Sequence, residues 1–208
     1  MANQVKTIWT SIPSSVTVVA VTKTFPFEVV VMAHAMGLRH IGENRVEEAR
    51  WKIEEAKKRG FTDIVWHMVG HVQSRNARDV VELFDWVDSV DSVALLQKLD
   101  TEAAKIHKKL HVLLEVNVSG EKSKYGLDSI PNNMNFLSLS IGGLMTMAPF
   151  VEDPEENRKI FRSLKILSSA TPDIGKELSM GTSCDYQVAI EEGATQVRLG
   201  TALFGPRQ

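Results

Sequence analysis

The feature that most constrains the fold is an eightfold alternation of short apolar runs with longer stretches of helical periodicity. The runs are rich in β-branched residues and are typical of buried parallel strands, and they include residues 16–22, 64–69 and 110–118. Successive runs are spaced by roughly 20–35 residues, which leaves room for one helix each. No GxGxxG motif follows the first run. The pattern therefore predicts an α/β fold, a closed (β/α)8 TIM barrel rather than an open doubly wound sheet.

Local signals mark several helix starts. Asn44, followed by Glu47, has the spacing of a capping box, and Ser92 is expected to cap the helix that follows it. No linker, low-complexity segment or internal repeat interrupts the chain, so residues 1–208 are expected to form a single domain.

Composition excludes several classes of protein. A net charge of −2 gives no general attraction to nucleic acid or to an anionic membrane surface. No apolar run reaches the ~18 residues of a membrane span, and the first residues lack the apolar segment of a signal peptide. The lone Cys184 rules out an internal disulfide framework and fits a reducing compartment. We therefore expect a cytoplasmic protein.

Lys23 is the first candidate for chemistry, because it ends the first predicted strand. In parallel α/β folds, ligands collect at the carboxyl ends of the strands. Partial burial at this position would lower the pKa of the ammonium group and allow the amine to form a Schiff base. The alternative is a lysine whose aliphatic stem simply reaches to water.

The last two strands predict a phosphate site. They end in SMGTS and RLGT, where Gly181 and Gly200 would let the backbone approach a ligand and Ser179, Ser183 and Thr201 would offer hydroxyls. Barrels commonly bind phosphate in these two loops. The alternative is a set of ordinary turn and cap residues.

The first and eighth strands are neighbours once a barrel closes, which brings Lys23 beside this phosphate site. The combination suggests a phosphorylated aldehyde or ketone held as an imine. Pyridoxal 5′-phosphate (PLP) and a class I aldolase substrate both fit. Arg198 would point into the barrel, where it either faces a pyridine nitrogen or pairs with an acid.

Other candidate sites have weaker support. His67 and His71 are four residues apart, but the predicted strand spans them, so the helical spacing of metal ligands does not apply. Cys184 has no surrounding signature of a nucleophile. Neither a metal nor a nucleic acid is expected.

The motifs resemble one family along nearly the whole chain. The matching stretches, in order, are VAVTKTFP, HIGENRVEEA, IVWHMVGHVQS, VDSVDS, LLEVNVSGEKSKYGL, GGLMTMAP, LSMGTSCD and VRLGTALFG. In combination they are similar to the pyridoxal phosphate homeostasis proteins (the YggS/PROSC-like group). The resemblance implies a fold-type III PLP-binding barrel, similar to the amino-terminal domain of alanine racemase.

The resemblance also implies a set of cofactor-binding residues, with Lys23 bearing PLP as a Schiff base and Arg198 facing the pyridine nitrogen. The phosphate would be held by Ser179, Gly200 and Thr201, together with backbone from Met180, Gly181 and Ser183, and the ring would be surrounded by Asn44, His67, Asn117 and Met145. Lys124 would be a mobile second lysine near the mouth. The sequence departs from the family in a shorter first segment, in Ser-Arg-Asn after GHVQ, and in Thr182 where methionine is usual.

The function implied is intracellular PLP homeostasis, in which a monomer binds the cofactor reversibly and buffers it or delivers it to apo-enzymes without substantial turnover. Racemases of this fold add a second domain that supplies an opposing base, usually a tyrosine, whereas this sequence ends soon after the eighth strand. Its tyrosines are Tyr125 and Tyr186, and neither is expected to serve as that base. A PLP-dependent amino-acid racemase and a cofactor-free aldolase remain the alternatives.

Overall fold

The structure is a computed structural model that describes residues 2–118, 120, 125–131 and 134–206, with side chains described from Thr7 onward. Eight parallel strands form a closed barrel in chain order, and the last strand pairs with the first. In the part of the chain that the structure describes, a helix follows every strand except the fifth. The closed eight-stranded barrel confirms the predicted TIM-barrel fold.

The strands of the barrel are short. They are β1 (Thr17–Val21), β2 (His40–Glu43), β3 (Val65–Met68), β4 (Trp86–Val90), β5 (Leu110–Glu115), β6 (Leu139–Met145), β7 (Glu177–Thr182) and β8 (Gln196–Leu199). The α-helices are α1 (Ala2–Ser11), α2 (Phe27–Ala35), α3 (Val46–Lys58), α4 (Ala77–Leu83), α5 (Val93–Lys105), α6 (Arg158–Ser169), α7 (Tyr186–Glu191) and α8 (Thr201–Phe204), with 3₁₀ turns at Ser74–Asn76 and Pro154–Asn157. Within the described ranges, no helix has the length and apolar character needed to cross a bilayer.

The register between β1 and its neighbours sets the arrangement of the site. Val19 is the register partner of His40 on one side and of Arg198 on the other. The loops that follow β1 and β8 therefore meet at the same rim of the barrel, and Lys23 and Gly200 both border the cavity there.

The two sides of the sheet differ in chemistry. Between sheet and helices, buried apolar residues such as Ala20, Ile41 and Leu203 form a continuous core. Polar side chains such as His67 and Asp88 are also fully buried. Burial of such groups requires hydrogen-bond partners. Asp88 has one partner on the adjacent strand β3, His67, and one across the barrel on β8, Gln196.

Of the two helix N-caps predicted from the sequence, at Ser92 and at Asn44, the structure confirms only the first. The Ser92 hydroxyl accepts a hydrogen bond from Leu95 N at 3.3 Å, so the predicted cap of α5 is confirmed. The capping box predicted at Asn44 is wrong, because α3 is preceded by Arg45, which makes no side-chain cap bond. The chain leaves β2 only at Glu43, and Asn44 instead borders the cavity at the barrel mouth.

Candidate functional site

A cavity of about 430 Å³ opens at the carboxyl ends of the strands. Several of the residues predicted from the sequence border it together, namely Lys23, Asn44, Ser183, Arg198, Gly200 and Thr201. They come from the loops after β1, β2 and β7 and from the end of β8, so closure of the barrel is what assembles them.

Lys23 lies in the tight turn that follows β1. The amide of Phe25 donates to the carbonyl of Thr22 at 3.0 Å, which closes the turn around the lysine. Thr24 has a φ of 64°, a left-handed conformation that β-branched residues adopt rarely. Lys23 itself is half-buried and borders the cavity.

Arg198 extends from β8 into the barrel and is almost fully buried. Its Nη1 donates to Ser179 Oγ at 2.6 Å, and its Nη2 donates to the carbonyl of Thr146 at 2.8 Å. Burial lowers the pKa of the guanidinium, while the charges of Asp88 and Glu115 act in the opposite direction. A guanidinium remains protonated in proteins, so Arg198 places a fixed cation at the floor of the cavity.

A hydrogen-bonded series of side chains, which we call the interior polar chain, continues from Arg198 through the barrel. Ser179 Oγ accepts from Gln196 Nε2 at 2.9 Å, and Gln196 Nε2 also donates to Asp88 Oδ2 at 2.6 Å. Asp88 Oδ1 lies 3.0 Å from His67 Nδ1, and His67 Nε2 lies 2.9 Å from His40 Nδ1. Since a carboxylate only accepts, His67 Nδ1 is the donor to Asp88. The chain links Arg198 to the start of β2.

The interior polar chain includes two residues that the sequence motifs assign directly to the cofactor. The hydroxyl of Ser179 accepts from Arg198, and Ser179 and His67, both fully buried, are not among the described residues that line the cavity. Ser179 thus contacts Arg198 directly, whereas His67 is connected to it only through Asp88, Gln196 and Ser179. That either residue contacts a cofactor stays a prediction.

The loops after β7 and β8 are tied to each other. Ser183 Oγ accepts from the backbone amides of Gly200, at 3.2 Å, and Ala202, at 3.0 Å. The β7 loop is closed by Asp185, whose carboxylate accepts from the amide of Thr182 at 2.7 Å. Because Ser183 Oγ accepts from two backbone amides, its own O–H is oriented away from them, and with the Thr201 hydroxyl it gives this side of the cavity two donors suited to an anion.

Gly181, the residue before the last of β7, has a backbone conformation and surroundings that require glycine. Its φ is +90°, and a Cβ atom there would lie 2.6 Å from Ala189 Cβ and 2.9 Å from Tyr186 Cα. The glycine thus allows the loop to pass directly over helix α7.

The opposite side of the mouth carries groups that the sequence motifs do not assign to the cofactor. His71 Nδ1 lies 2.9 Å from Asp91 Oδ2, and its ring stacks on Tyr125 with centroids 4.1 Å apart. Glu115, at the end of β5, is buried beside the cavity, and burial raises the pKa of its carboxyl despite the nearby Arg198. A single acid in the apolar run LHVLLE was the signal that could have identified it.

Three further predicted residues, Asn117, Met145 and Met180, are not among the described residues that line the cavity. Met145 and Met180 are buried within the fold. Asn117 follows β5, and its Oδ1 accepts from the amide of Gly120 at 3.1 Å. Lys124 lies outside the described residues. Among the residues that the structure describes, no cluster of His, Cys, Asp or Glu is suited to hold a metal ion.

Comparison with protein families and curated proteins identifies relatives over the full chain. The family model for the alanine racemase N-terminal domain matches residues 1–208. A pyridoxal phosphate homeostasis protein from Synechocystis is 39% identical over 208 residues, covering 95% of this chain and 94% of the relative. A protein of the same name from Escherichia coli K12 is 36% identical over 205 residues, covering 94% and 87%.

Solved structures give the same result. PipY from Synechococcus elongatus, solved with PLP bound, superposes with a TM-score of 0.90 at 35% identity, covering 98% of this chain and 99% of PipY. An alanine racemase from Clostridium difficile gives a TM-score of 0.75 at 14% identity, covering 98% of this chain and 55% of the racemase. The second likeness is one of fold alone.

Proposed function

We propose that this chain, which belongs to the pyridoxal phosphate homeostasis protein family and carries the alanine racemase N-terminal domain, binds PLP reversibly and covalently through Lys23. The protein would thereby buffer the cofactor or deliver it to apo-enzymes in the cytoplasm, without substantial turnover of its own. The names of its relatives and the PLP-bound structure of PipY support this proposal.

One observation carries the proposal: an amine, a buried cation and an anion-binding group border the same cavity. These are Lys23, Arg198 and the linked loops of Ser183 and Gly200. PLP carries an aldehyde, a pyridine nitrogen and a phosphate, so each end of the cofactor has a chemically suitable partner. The residues present therefore fit the cofactor.

Each residue would have a separate task. When bound, PLP supplies an aldehyde that reacts reversibly with primary amines, and Lys23 is the amine that would hold it. Ser183 and Thr201, with the neighbouring backbone N–H groups, would hold the phosphate. Arg198 would face the ring nitrogen, and because a guanidinium only donates hydrogen bonds, it would disfavour a proton there. A ring with an unprotonated nitrogen is a weaker electron sink, which suits storage of the cofactor better than catalysis.

Amino-acid racemisation is the second candidate function. It is favoured by His71, which borders the same cavity as Lys23 and is oriented by Asp91. A histidine held in this way is a common acid–base group, and racemisation requires one such group on each side of a substrate.

The test is an absorbance spectrum of the purified protein with added PLP, before and after borohydride reduction, followed by peptide mass mapping. We expect a visible band that bleaches on reduction and an adduct on the peptide that contains Lys23. Lys23→Ala should lose both, whereas Lys57→Ala, at an exposed position on α3, should retain them. Absence of a band and of an adduct in the wild-type protein would reject the proposal. Steady loss of optical activity from L-alanine, abolished by Lys23→Ala, would establish the racemase instead.

A further inference from the structure

Lys52 occupies an unusual position for a lysine. It lies on the buried face of α3 with Ala49, Ile53 and Ala56, and its side chain is only 1% exposed. Burial of an ammonium group is costly unless charges and hydrogen bonds compensate it. The site described above assigns no role to this residue.

The ammonium group of Lys52 has a complete set of acceptors. Its Nζ lies 2.7 Å from Glu43 Oε1, 2.7 Å from Glu48 Oε1 and 2.6 Å from the carbonyl oxygen of Thr22. Three acceptors match the three N–H donors of a lysine. We call Lys52, Glu43 and Glu48 the Lys52 cluster.

The Lys52 cluster contacts the chain on both sides of Lys23. On one side, Thr22 donates its hydroxyl to Glu43 Oε1 at 2.6 Å and its carbonyl accepts from Lys52. On the other side, the amide of Thr24 donates to Glu48 Oε1 at 2.7 Å.

The contact with Thr24 explains its strained backbone. Its φ of 64° costs free energy in a β-branched residue, and such conformations persist where surrounding contacts fix them. The charged acceptor on Glu48 is one such contact, since hydrogen bonds to ionised groups are stronger than neutral ones.

The cluster acts as a unit because Glu43 depends on Lys52. Glu43 is fully buried, and its Oε2 has no hydrogen-bond partner among the described residues. Burial raises the pKa of Glu43, while Lys52 and the Thr22 hydroxyl oppose that rise. Without Lys52, the Glu43 carboxylate would lose its counter-ion, and the Thr22 carbonyl would lose the hydrogen bond from the ammonium group.

We infer that the Lys52 cluster is a positioning device for Lys23, which holds the backbone on both sides of it so that its amine is presented to an aldehyde in the cavity. The inference rests on the proposed covalent role of Lys23. It assigns the cluster to the covalent step and not to recognition of the phosphate or the ring, which other elements bind.

The first test measures the backbone directly and needs no cofactor. Hydrogen exchange of the Thr24 amide would be followed by NMR in the wild type, Lys52→Met, Glu48→Ala and Glu48→Gln. We expect faster exchange in Lys52→Met and Glu48→Ala. Glu48→Gln keeps an acceptor oxygen for this amide and should lie closer to the wild type. Lys57→Met, on the exposed side of the same helix, is the matched control.

The second test separates the covalent step from simple binding. The rate of adduct formation with PLP would be compared with the affinity for pyridoxine 5′-phosphate, which has the same ring and phosphate but no aldehyde. We expect Lys52→Met to slow adduct formation by about tenfold to a hundredfold, as for a displaced reacting group, while affinity changes by less than about twofold. A general loss of structure would weaken both.

The outcomes are distinct. Wild-type exchange at Thr24 and wild-type adduct rates in both Lys52→Met and Glu48→Ala would overturn the inference. If Lys52→Met does not fold, Glu48→Ala decides in its place, since Glu48 is partly exposed and leaves the Lys52–Glu43 pair intact. Failure of the wild-type protein to form any adduct would overturn the proposed function, and the exchange experiment would still decide whether the cluster fixes the backbone around Lys23.

Discussion

Replacing Gly181 with alanine tests how closely the loop after β7 is fitted to helix α7. A methyl group at this position would lie 2.6 Å from Ala189 Cβ and 2.9 Å from Tyr186 Cα, well inside van der Waals contact. Tyr186 Cα is backbone, so rotation of a side chain cannot relieve the overlap. Either the loop or the helix must move.

The cost has two parts that the chain allows to be measured separately. The left-handed conformation, with φ at +90°, costs about 1 kcal/mol for a residue with a Cβ atom. Overpacking adds about 1–3 kcal/mol. Gly37 also has a φ of +90°, but a Cβ atom added there would have open space within 4 Å, so Gly37→Ala isolates the first part. We expect destabilisation of about 1 kcal/mol for Gly37→Ala and about 2–4 kcal/mol for Gly181→Ala.

Urea unfolding monitored by circular dichroism would give both free energies of unfolding, and calorimetric titration with pyridoxine 5′-phosphate would report on the loop. Gly181→Ala should weaken this binding, because Ser183 follows only two residues later, and Gly37→Ala should leave it unchanged. Equal destabilisation by the two substitutions would refute the close packing of the loop on α7.

Two further predictions concern the interior polar chain. Burial and the neighbouring His67 lower the pKa of His40 to about 4, so the unfolded chain takes up a proton between pH 6.5 and 4 that the folded protein does not. The free energy of unfolding should therefore fall as pH falls through this window, by about 2 kcal/mol for a partly exposed group. Urea unfolding at several pH values should show a smaller loss for His40→Gln. The same dependence of the free energy on pH in the variant and the wild type would contradict this. Asp88→Asn places an amide donor against the N–H of His67 or Gln196, so it should lower the free energy of unfolding by about 3 kcal/mol. The control Asp79→Asn, at the surface, should lower it by less than about 1 kcal/mol. Similar losses in the same urea experiment would show that the buried carboxylate has no special role.

The barrel fold and the positions of Lys23 and Arg198 at the cavity could be predicted from the sequence, because the signals for them are local. Apolar runs and helical periodicity mark the elements, and parallel pairing then brings the end of β1 next to the end of β8. Lys23 and Arg198 were identified in this way, from their distance to the ends of the strands.

The supporting contacts could not be predicted in the same way. Lys52 falls within the apolar stripe of α3, but only the tertiary structure shows that Thr22 and Glu43, from other elements, surround its ammonium group. Asn44 has the correct spacing for a cap, yet its position at the cavity overrides the local preference. The hydrogen bond from Arg198 to Ser179 Oγ could not be predicted either, because the motif fixes the position of Ser179 along the strand but not the partner of its hydroxyl.

The interior polar chain restricts how this sequence can diverge. Each of His67, Asp88, Gln196 and Ser179 supplies a donor or an acceptor that its neighbour needs, in a space closed to water. A change at one position leaves an unmatched group at the next, so single substitutions are selected against even where they preserve size. Over evolutionary time these positions should change together, on both sides of the barrel, while the apolar layer under the helices changes one residue at a time.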